Sequence, residues 1–131
     1  MQIVVFKLGD EYFAVNTEKV QSINDIMSIT KVPKAPSHIK GLINLRGSIK
    51  SLVDINLLLN ISHSENQENI IILDVDGEEI GILVDRVEEV LSLDDKELRT
   101  LDSENSEDYI QGIIKYEDKL LTVIDIKKLL N

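Results

Sequence analysis

One segment of this chain is written twice, and the repeat constrains the fold more than any other feature. The first copy covers residues 32–59 and the second covers residues 109–130. Gly41 matches Gly112, and the alignment of the two copies has no gap from residue 39 to residue 59. A period of about 70 residues is longer than the roughly 20 to 50 residues of common solenoid repeats, and two copies are too few to form a solenoid. The repeat therefore predicts two similar halves, roughly residues 1–67 and 68–131, in one domain, with strand exchange between the halves left open.

Both copies end in an aspartate followed by apolar residues at the spacing of one face of a short helix. The aspartates are Asp54 and Asp125, and a side chain at this position commonly caps a helix by accepting a hydrogen bond from a backbone N–H. A buried carboxylate for acid–base catalysis is the alternative explanation. We favour helix capping, because the apolar spacing starts directly after each aspartate.

The remaining pattern is that of short strands separated by turn residues. Residues 3–8 and 11–15 predict an opening hairpin, with Asn16 or Thr17 capping a helical turn behind it, and residues 69–75 and 79–84 predict a second hairpin. The nearly continuous apolar run in 79–84 predicts a strand buried on both sides at the junction of the halves. Residues 93–108 predict an exposed loop with one helical turn near 95–98.

Strict alternation begins at residue 39 and predicts which side chains face the core. Gly41 and Ile43 fall on the inward side, and Leu42, Asn44 and Arg46 on the outward side. After a turn at residues 47–48, the inward side is expected to continue through residues 49, 51, 53 and 55. Many short strands with only brief helices predict an all-β protein of two small barrels packed side by side.

Charge is distributed unevenly along the chain. The net charge of −10 argues against nucleic-acid binding, because affinity for phosphate comes mainly from clustered Lys and Arg. Residues 26–53 nevertheless contain no Asp or Glu and carry Arg46 and four lysines, which are Lys31, Lys34, Lys40 and Lys50. This segment is either a chance run or a docking surface for an acidic partner, since complementary charge steers association.

Signatures of catalysis, metal binding and cofactor binding are missing from the sequence. There is no cysteine, and the two histidines, His38 and His63, have no metal-ligand spacing. Phosphate-binding glycine loops and the GxSxG nucleophile pattern are also missing. We therefore expect no catalytic residues, no metal and no cofactor. No apolar run approaches the ~20 residues of a membrane-spanning helix, and the first residues predict a strand, so we expect a cytoplasmic protein without membrane insertion.

The repeated segment resembles a known family. The stretch VPKAPSHIKGLINLRGSIKSLVDI is similar to the hallmark of the CheW family of chemotaxis coupling proteins, a proline-bearing approach followed by G-x-I-N-x-R-G and V-D-[LI]. The stretch EIGILVDRVEEVL is similar to the family's second hallmark, and the resemblance extends over residues 3–130. It implies a non-catalytic scaffold of two five-stranded, SH3-like barrels. Ser51 departs from the family pattern where proline is frequent, as do residues 21–22 where an acidic residue is frequent.

The resemblance also implies partners and binding residues. A scaffold of this family bridges the regulatory domain of a chemotaxis histidine kinase and the cytoplasmic hairpin tip of a chemoreceptor, at membrane-bound receptor arrays. The kinase docks through its own CheW-like domain, with contact residues that we cannot assign. The receptor's hairpin lies in the groove between the barrels, and the matching residues here are Val20, Ile23, Leu42, Asn44 and Arg46.

Two questions stay open at this stage. Arg46 could instead hydrogen-bond backbone carbonyls and hold its loop, since its five donors suit either role. The same adaptor could also serve a non-flagellar sensory pathway such as surface motility, and an enzyme is the third alternative.

Overall fold

The computed structural model describes residues 1–100 and 107–131 and is dominated by ten short strands. Two α-helices of one turn or slightly more, α1 and α2, follow the two repeated hairpins. The strands and helices are β1 (Gln2–Leu8), β2 (Glu11–Asn16), β3 (Val20–Asp25), β4 (Ile39–Leu45), β5 (Ser48–Val53), α1 (Ile55–Leu59), β6 (Asn69–Val75), β7 (Glu78–Val84), β8 (Arg86–Ser92), β9 (Ile110–Tyr116), β10 (Lys119–Ile124) and α2 (Ile126–Leu130).

The strands form two five-stranded sheets of identical topology. The first sheet has the order β8-β1-β2-β10-β9 and the second has the order β3-β6-β7-β5-β4. An isolated bridge between Thr30 and Leu42 extends the pairing at the outer edge of β4, and one between Arg99 and Ile113 does the same at β9. The prediction of a mainly β protein built from two five-stranded, SH3-like units with brief helices is confirmed.

Each sheet contains strands from both halves of the sequence. The opening hairpin β1–β2 lies beside β8, β9 and β10, whereas the equivalent hairpin β6–β7 lies beside β3, β4 and β5. The chain passes from the first sheet to the second through the 3₁₀ turn Thr17–Lys19, and returns at Asp85, between β7 and β8. The first hairpin of each half of the sequence therefore lies in the sheet that holds most strands of the other half.

The core has three parts, one inside each sheet and a larger one between them. Alternate residues of β1 separate accordingly: Val4 and Phe6 belong to the central cluster, and Ile3 and Val5 to the cluster of the first sheet. The rings of Phe6 and Phe13 stack in the central cluster with centroids 6.1 Å apart. Because the exchanged hairpins present apolar residues on both faces, each is buried between two clusters, which holds the units together.

The strand β7 confirms the prediction of a strand buried on both sides at the junction. Ile80, Ile82 and Val84 lie in the central cluster, and Leu83 lies in the cluster of the second sheet. All three side chains in the central cluster are at most 6% exposed. The continuous apolar run in the sequence therefore reflects contact with two different cores.

Capping by the repeated aspartates is also observed. Asp54 accepts a hydrogen bond from the N–H of Leu57 at 3.1 Å, and Asp125 accepts one from the N–H of Lys128 at 3.2 Å. Asn16 caps the 3₁₀ turn Thr17–Lys19 in the same way. A second 3₁₀ turn lies at Asp95–Glu97, where a helical turn was predicted, while the loop prediction for residues 101–106 lies outside the described residues.

In the described part of the chain, no helix combines the length and apolar character required to cross a membrane. The two α-helices contain five residues each.

Candidate partner-binding surface

The hairpin β4–β5 closes with a tight turn at Arg46 and Gly47. Both residues have positive φ, 54° and 88° respectively, as the favoured two-residue hairpin turn of type I′ requires. Asn44 stabilises the turn by accepting a hydrogen bond from the N–H of Gly47 at 2.9 Å. Arg46 therefore lies in the turn and not in the strand, and its exposure follows from the turn geometry instead of the strand alternation that predicted it.

This turn also corrects part of the predicted facing of β5. A two-residue turn pairs Asn44 with Ile49 and Leu42 with Ser51, so these four residues share one face of the hairpin. Ile49 is 60% exposed, although the alternation predicted it on the inward side, whereas Val53 and Ile55 are buried as predicted. The signal that would have found this is the two-residue turn itself, because such a turn pairs the odd-numbered inward residues of β4 with even-numbered residues of β5, such as the buried Leu52.

The predicted receptor-binding residues lie on two strands at opposite edges of the second sheet. Val20 on β3 packs partly buried against the central cluster, and Ile23 is 41% exposed. Leu42 and Asn44 belong to β4, with β6, β7 and β5 between the two strands in the pairing order. The chain beyond β3 returns to β4 at Thr30, whose N–H donates to the carbonyl of Leu42 at 2.9 Å while the N–H of Leu42 donates to Thr30 at 2.8 Å.

Arg46 projects from the turn as an exposed cation. Its side chain makes no hydrogen bond or ion pair with any residue in the ranges 1–100 and 107–131. Backbone anchoring of the loop, the alternative role considered for Arg46, is therefore carried by the side chain of Asn44 instead.

The four lysines of the basic segment differ in how much charge they present. Lys31 and Lys34 are exposed in the connection before β4, whereas Lys40 is half-buried with its Nζ 3.4 Å from Oε1 of Gln67. Lys50 forms an ion pair with Glu79, Nζ to Oε1 2.9 Å, with only 22% of the lysine side chain exposed. Lys31 and Lys34 thus offer the accessible charge, together with Arg46.

A second copy of this hairpin surface lies on the first sheet. The repeat places Ile113, Lys115 and Leu120 where the first copy has Leu42, Asn44 and Ile49. Leu120 is 65% exposed and is paired with Lys115 across the hairpin. Its turn carries Glu117, also with positive φ (56°), and Asp118, where the first copy has Arg46 and Gly47. The molecule therefore presents two equivalent hairpin faces, each with an exposed aliphatic residue, one beside a basic turn and one beside an acidic turn. Sequence reasoning missed Leu120, which pairing across a two-residue turn would have found.

The titratable side chains of His63 and Tyr109 each lie close to an acidic residue. Nε2 of His63 lies 2.8 Å from both carboxylate oxygens of Asp54, which already caps α1. The pKa of Tyr109 is raised above its ordinary value, first by partial burial and then by the charge of Glu107. Among the described residues, no three His, Cys, Asp or Glu side chains come together as a metal site.

Comparison with known proteins identifies the family. A family model described as a CheW-like domain matches residues 2–131. The chain belongs to the CheW-like family. The chemotaxis protein CheW of Klebsiella aerogenes is 32% identical over 140 residues, which cover 99% of this chain and 81% of that protein. CheW of Thermotoga maritima is 30% identical over 134 residues, which cover 98% of this chain and 87% of that protein.

A solved structure agrees with the fold. The crystal structure of the scaffolding protein TtCheW from Thermoanaerobacter tengcongensis matches with a TM-score of 0.89 and 31% sequence identity. The match covers 99% of this chain and 87% of that one. The exchanged pair of sheets therefore belongs to the CheW-like fold and is shared at the level of whole-chain topology.

Proposed function

We propose that this chain is a non-catalytic scaffold that couples a chemoreceptor to a histidine kinase in chemotaxis. The observation that carries the proposal is the match of a CheW-like domain to residues 2–131, together with a solved scaffolding protein of the same fold. Relatives over nearly the full chain are named chemotaxis protein CheW. We place the scaffold in the cytoplasm, at membrane-bound receptor arrays.

For the receptor, the proposed surface consists of Val20, Ile23, Leu42, Asn44 and Arg46, and it would contact the receptor's cytoplasmic hairpin tip. The exposure of Ile23 and Arg46 supports this assignment, because both side chains are accessible to a partner. Asn44 is exposed but already bonded within the turn, so we expect it to shape the surface more than to bind directly.

For the kinase, the hairpin face of the first sheet offers a geometric basis for pairing with a CheW-like regulatory domain, since the face with Arg46 is assigned to the receptor. It carries the exposed aliphatic residue Leu120 beside the acidic turn with Glu117, which suits a basic counterpart. Such complementarity sets orientation and accelerates encounter, while the apolar residues supply buried area.

The deciding experiment is a pull-down of the purified chain with a receptor hairpin-tip fragment and the kinase regulatory domain. A scaffold retains both in one complex, and failure to retain either partner would contradict the proposal. Arg46→Glu should abolish receptor retention, with circular dichroism unchanged. The matched control is Lys96→Glu, which makes the same charge change at an exposed position on the 3₁₀ turn Asp95–Glu97 and should leave retention intact.

Salt dependence tests the electrostatic part of the proposal. Raising the ionic strength from about 0.1 M to 1 M shortens the screening length from about 10 Å to 3 Å, so association steered by Lys31 and Lys34 should slow. Replacing both lysines with glutamine should reduce the association rate at low salt and remove most of its salt dependence. An association rate that does not respond to salt would exclude steering by these lysines.

A further inference from the structure

Asp85 is a buried acidic residue where the chain crosses from the second sheet to the first. It is 9% exposed, and its Oδ2 accepts a hydrogen bond from the N–H of Gly9 at 2.8 Å. Its own N–H donates to the carbonyl of Lys7 at 3.1 Å, and its carbonyl accepts from the N–H of Glu68 at 2.9 Å. Asp85 therefore connects three separate segments of the chain.

The other carboxylate oxygen of Asp85 is not satisfied. Among the buried side-chain oxygen and nitrogen atoms of the described residues, Oδ1 of Asp85 is the one without a hydrogen-bond partner. A carboxylate oxygen accepts hydrogen bonds and donates none, so its donor comes from outside the described protein atoms, either from solvent or from a partner. Buried polar atoms in folded proteins are almost always paired, and an exception calls for an explanation.

A cleft of about 390 Å³ opens beside Asp85. Three acidic residues from separate segments line it, Asp10, Glu68 and Asp85, together with polar groups and two cations. Nη2 of Arg86 donates to Glu88 at 3.0 Å, and the charge of Glu68 also acts on Arg86, while Nζ of Lys7 lies 6.0 Å from the ring centre of Tyr12. Acidic residues outnumber the cations in this lining, and within the described chain no hydrogen bond or ion pair joins either cation to Asp85.

We propose that this cleft binds the guanidinium group of an arginine side chain from a partner protein. A guanidinium carries five N–H donors in a planar fork and no acceptor, so one group can bond Oδ1 of Asp85 and a second carboxylate together. A metal ion fits less well, because the described carboxylates do not converge as a metal-ligand group. Since Oδ1 is covered in the free chain, the cleft wall must shift on binding, and the Gly9 amide reports that shift.

The test is a titration of the ¹⁵N-labelled whole chain with N-acetyl-arginine-N-methylamide, followed by amide resonances. We expect saturable shifts at Gly9, Asp10 and Glu68. The citrulline analogue has nearly the same shape without the charge and should produce no saturable shift. Shifts that are absent, that lie elsewhere, or that citrulline reproduces would overturn the proposal. Ammonium chloride that saturates the same shifts equally well would show a site for free cations and would also overturn it.

Substitutions locate the site. Asp85→Asn keeps an acceptor for the Gly9 N–H but removes the charge, and we expect at least about a tenfold increase in the Kd of the arginine probe, in keeping with a charged hydrogen bond. Glu68→Gln changes an exposed side chain and should also raise the Kd of the arginine probe, so it provides the test if Asp85→Asn does not fold. The control is Asp118→Asn in the β9–β10 turn, which should leave the Kd unchanged. Unaltered affinity in Glu68→Gln and in any folded Asp85→Asn would refute the assignment. The inference uses residues outside the proposed receptor and kinase surfaces, so it can fail while the proposed function stands.

Discussion

Replacing Gly41 with alanine should detach residues 29–30 from the edge of the second sheet. A Cβ atom at this position would lie 2.5 Å from the carbonyl oxygen of Thr30 and 2.7 Å from Cγ2 of Ile29. The Ile29 methyl group can move, but the Thr30 oxygen belongs to backbone that is hydrogen-bonded to Leu42 in both directions. The clash is therefore relieved only by breaking the bridge between Thr30 and Leu42.

The magnitude follows from two alternatives. Keeping the bridge retains the strain of an overpacked site, typically about 1–3 kcal/mol. Releasing it removes two backbone hydrogen bonds, each contributing about 0.5–1.5 kcal/mol net. Breaking the bridge removes the strain, so the protein loses one of these two contributions and not their sum. We therefore expect the free energy of unfolding to fall by about 2 kcal/mol. A domain with the usual stability of about 5–15 kcal/mol still folds after this loss.

Urea unfolding followed by circular dichroism measures the loss, and hydrogen exchange of the Thr30 amide measures where it occurs. Gly112→Ala is the internal twin, because its Cβ would lie 2.7 Å from the carbonyl oxygen of Arg99, and it should accelerate exchange at Arg99 instead. Gly81→Ala is the control for a strand glycine that meets only side-chain atoms, at 3.2 Å or more, and it should leave Thr30 exchange unchanged. A Gly41→Ala protein with unaltered stability and slow Thr30 exchange would refute the reasoning.

Three smaller perturbations test the caps, the ion pairs and the partly buried phenol. Asp125→Ala removes the N-cap of α2 and should lower the free energy of unfolding by about 1 kcal/mol, measured in urea. A double-mutant cycle with Lys50→Met and Glu79→Gln should give a coupling energy of about 0.5 kcal/mol, as expected for a partly exposed ion pair. Zero coupling would show that the ion pair does not stabilise the fold. Tyr109 should ionise above its ordinary pKa of 10.0, visible as the near-ultraviolet absorbance change lost in Tyr109→Phe. Because the pKa of Tyr109 is higher in the folded than in the unfolded chain, its contribution to the free energy of unfolding is complete below the unfolded pKa. That contribution is lost as the pH rises through the folded pKa.

Much of the fold could be predicted because its signals are local. The aspartates Asp54 and Asp125 precede an apolar spacing that favours a capped helix, and both caps are observed. The continuous apolar run of β7 indicated burial on both sides, and Gly-bearing turns marked the hairpins β1–β2 and β6–β7 at their observed positions. These features depend on residues a few positions apart, so the chain order alone reveals them.

The candidate surface was predicted only in part. Arg46 was expected to be exposed and is, but for a different reason, since a positive φ places it in a turn. Ile49 was expected in the interior but lies on the surface, because the two-residue turn pairs it with Asn44 on the outward face of β4. Odd-and-even alternation does not continue unchanged through a two-residue turn, since the odd-numbered inward residues of β4 pair with even-numbered residues of β5.

Local pattern thus established the approximate limits of the main hairpins, the helix caps and the duplication, while the number of strands came from the family resemblance. Long-range pairing established which hairpin joins which sheet, and so brought Asp85 beside Gly9 and created the central core. The reason is physical: an amphipathic strand specifies that its apolar face must be covered, but not by which partner. That choice depends on how all ten strands bury their surfaces together.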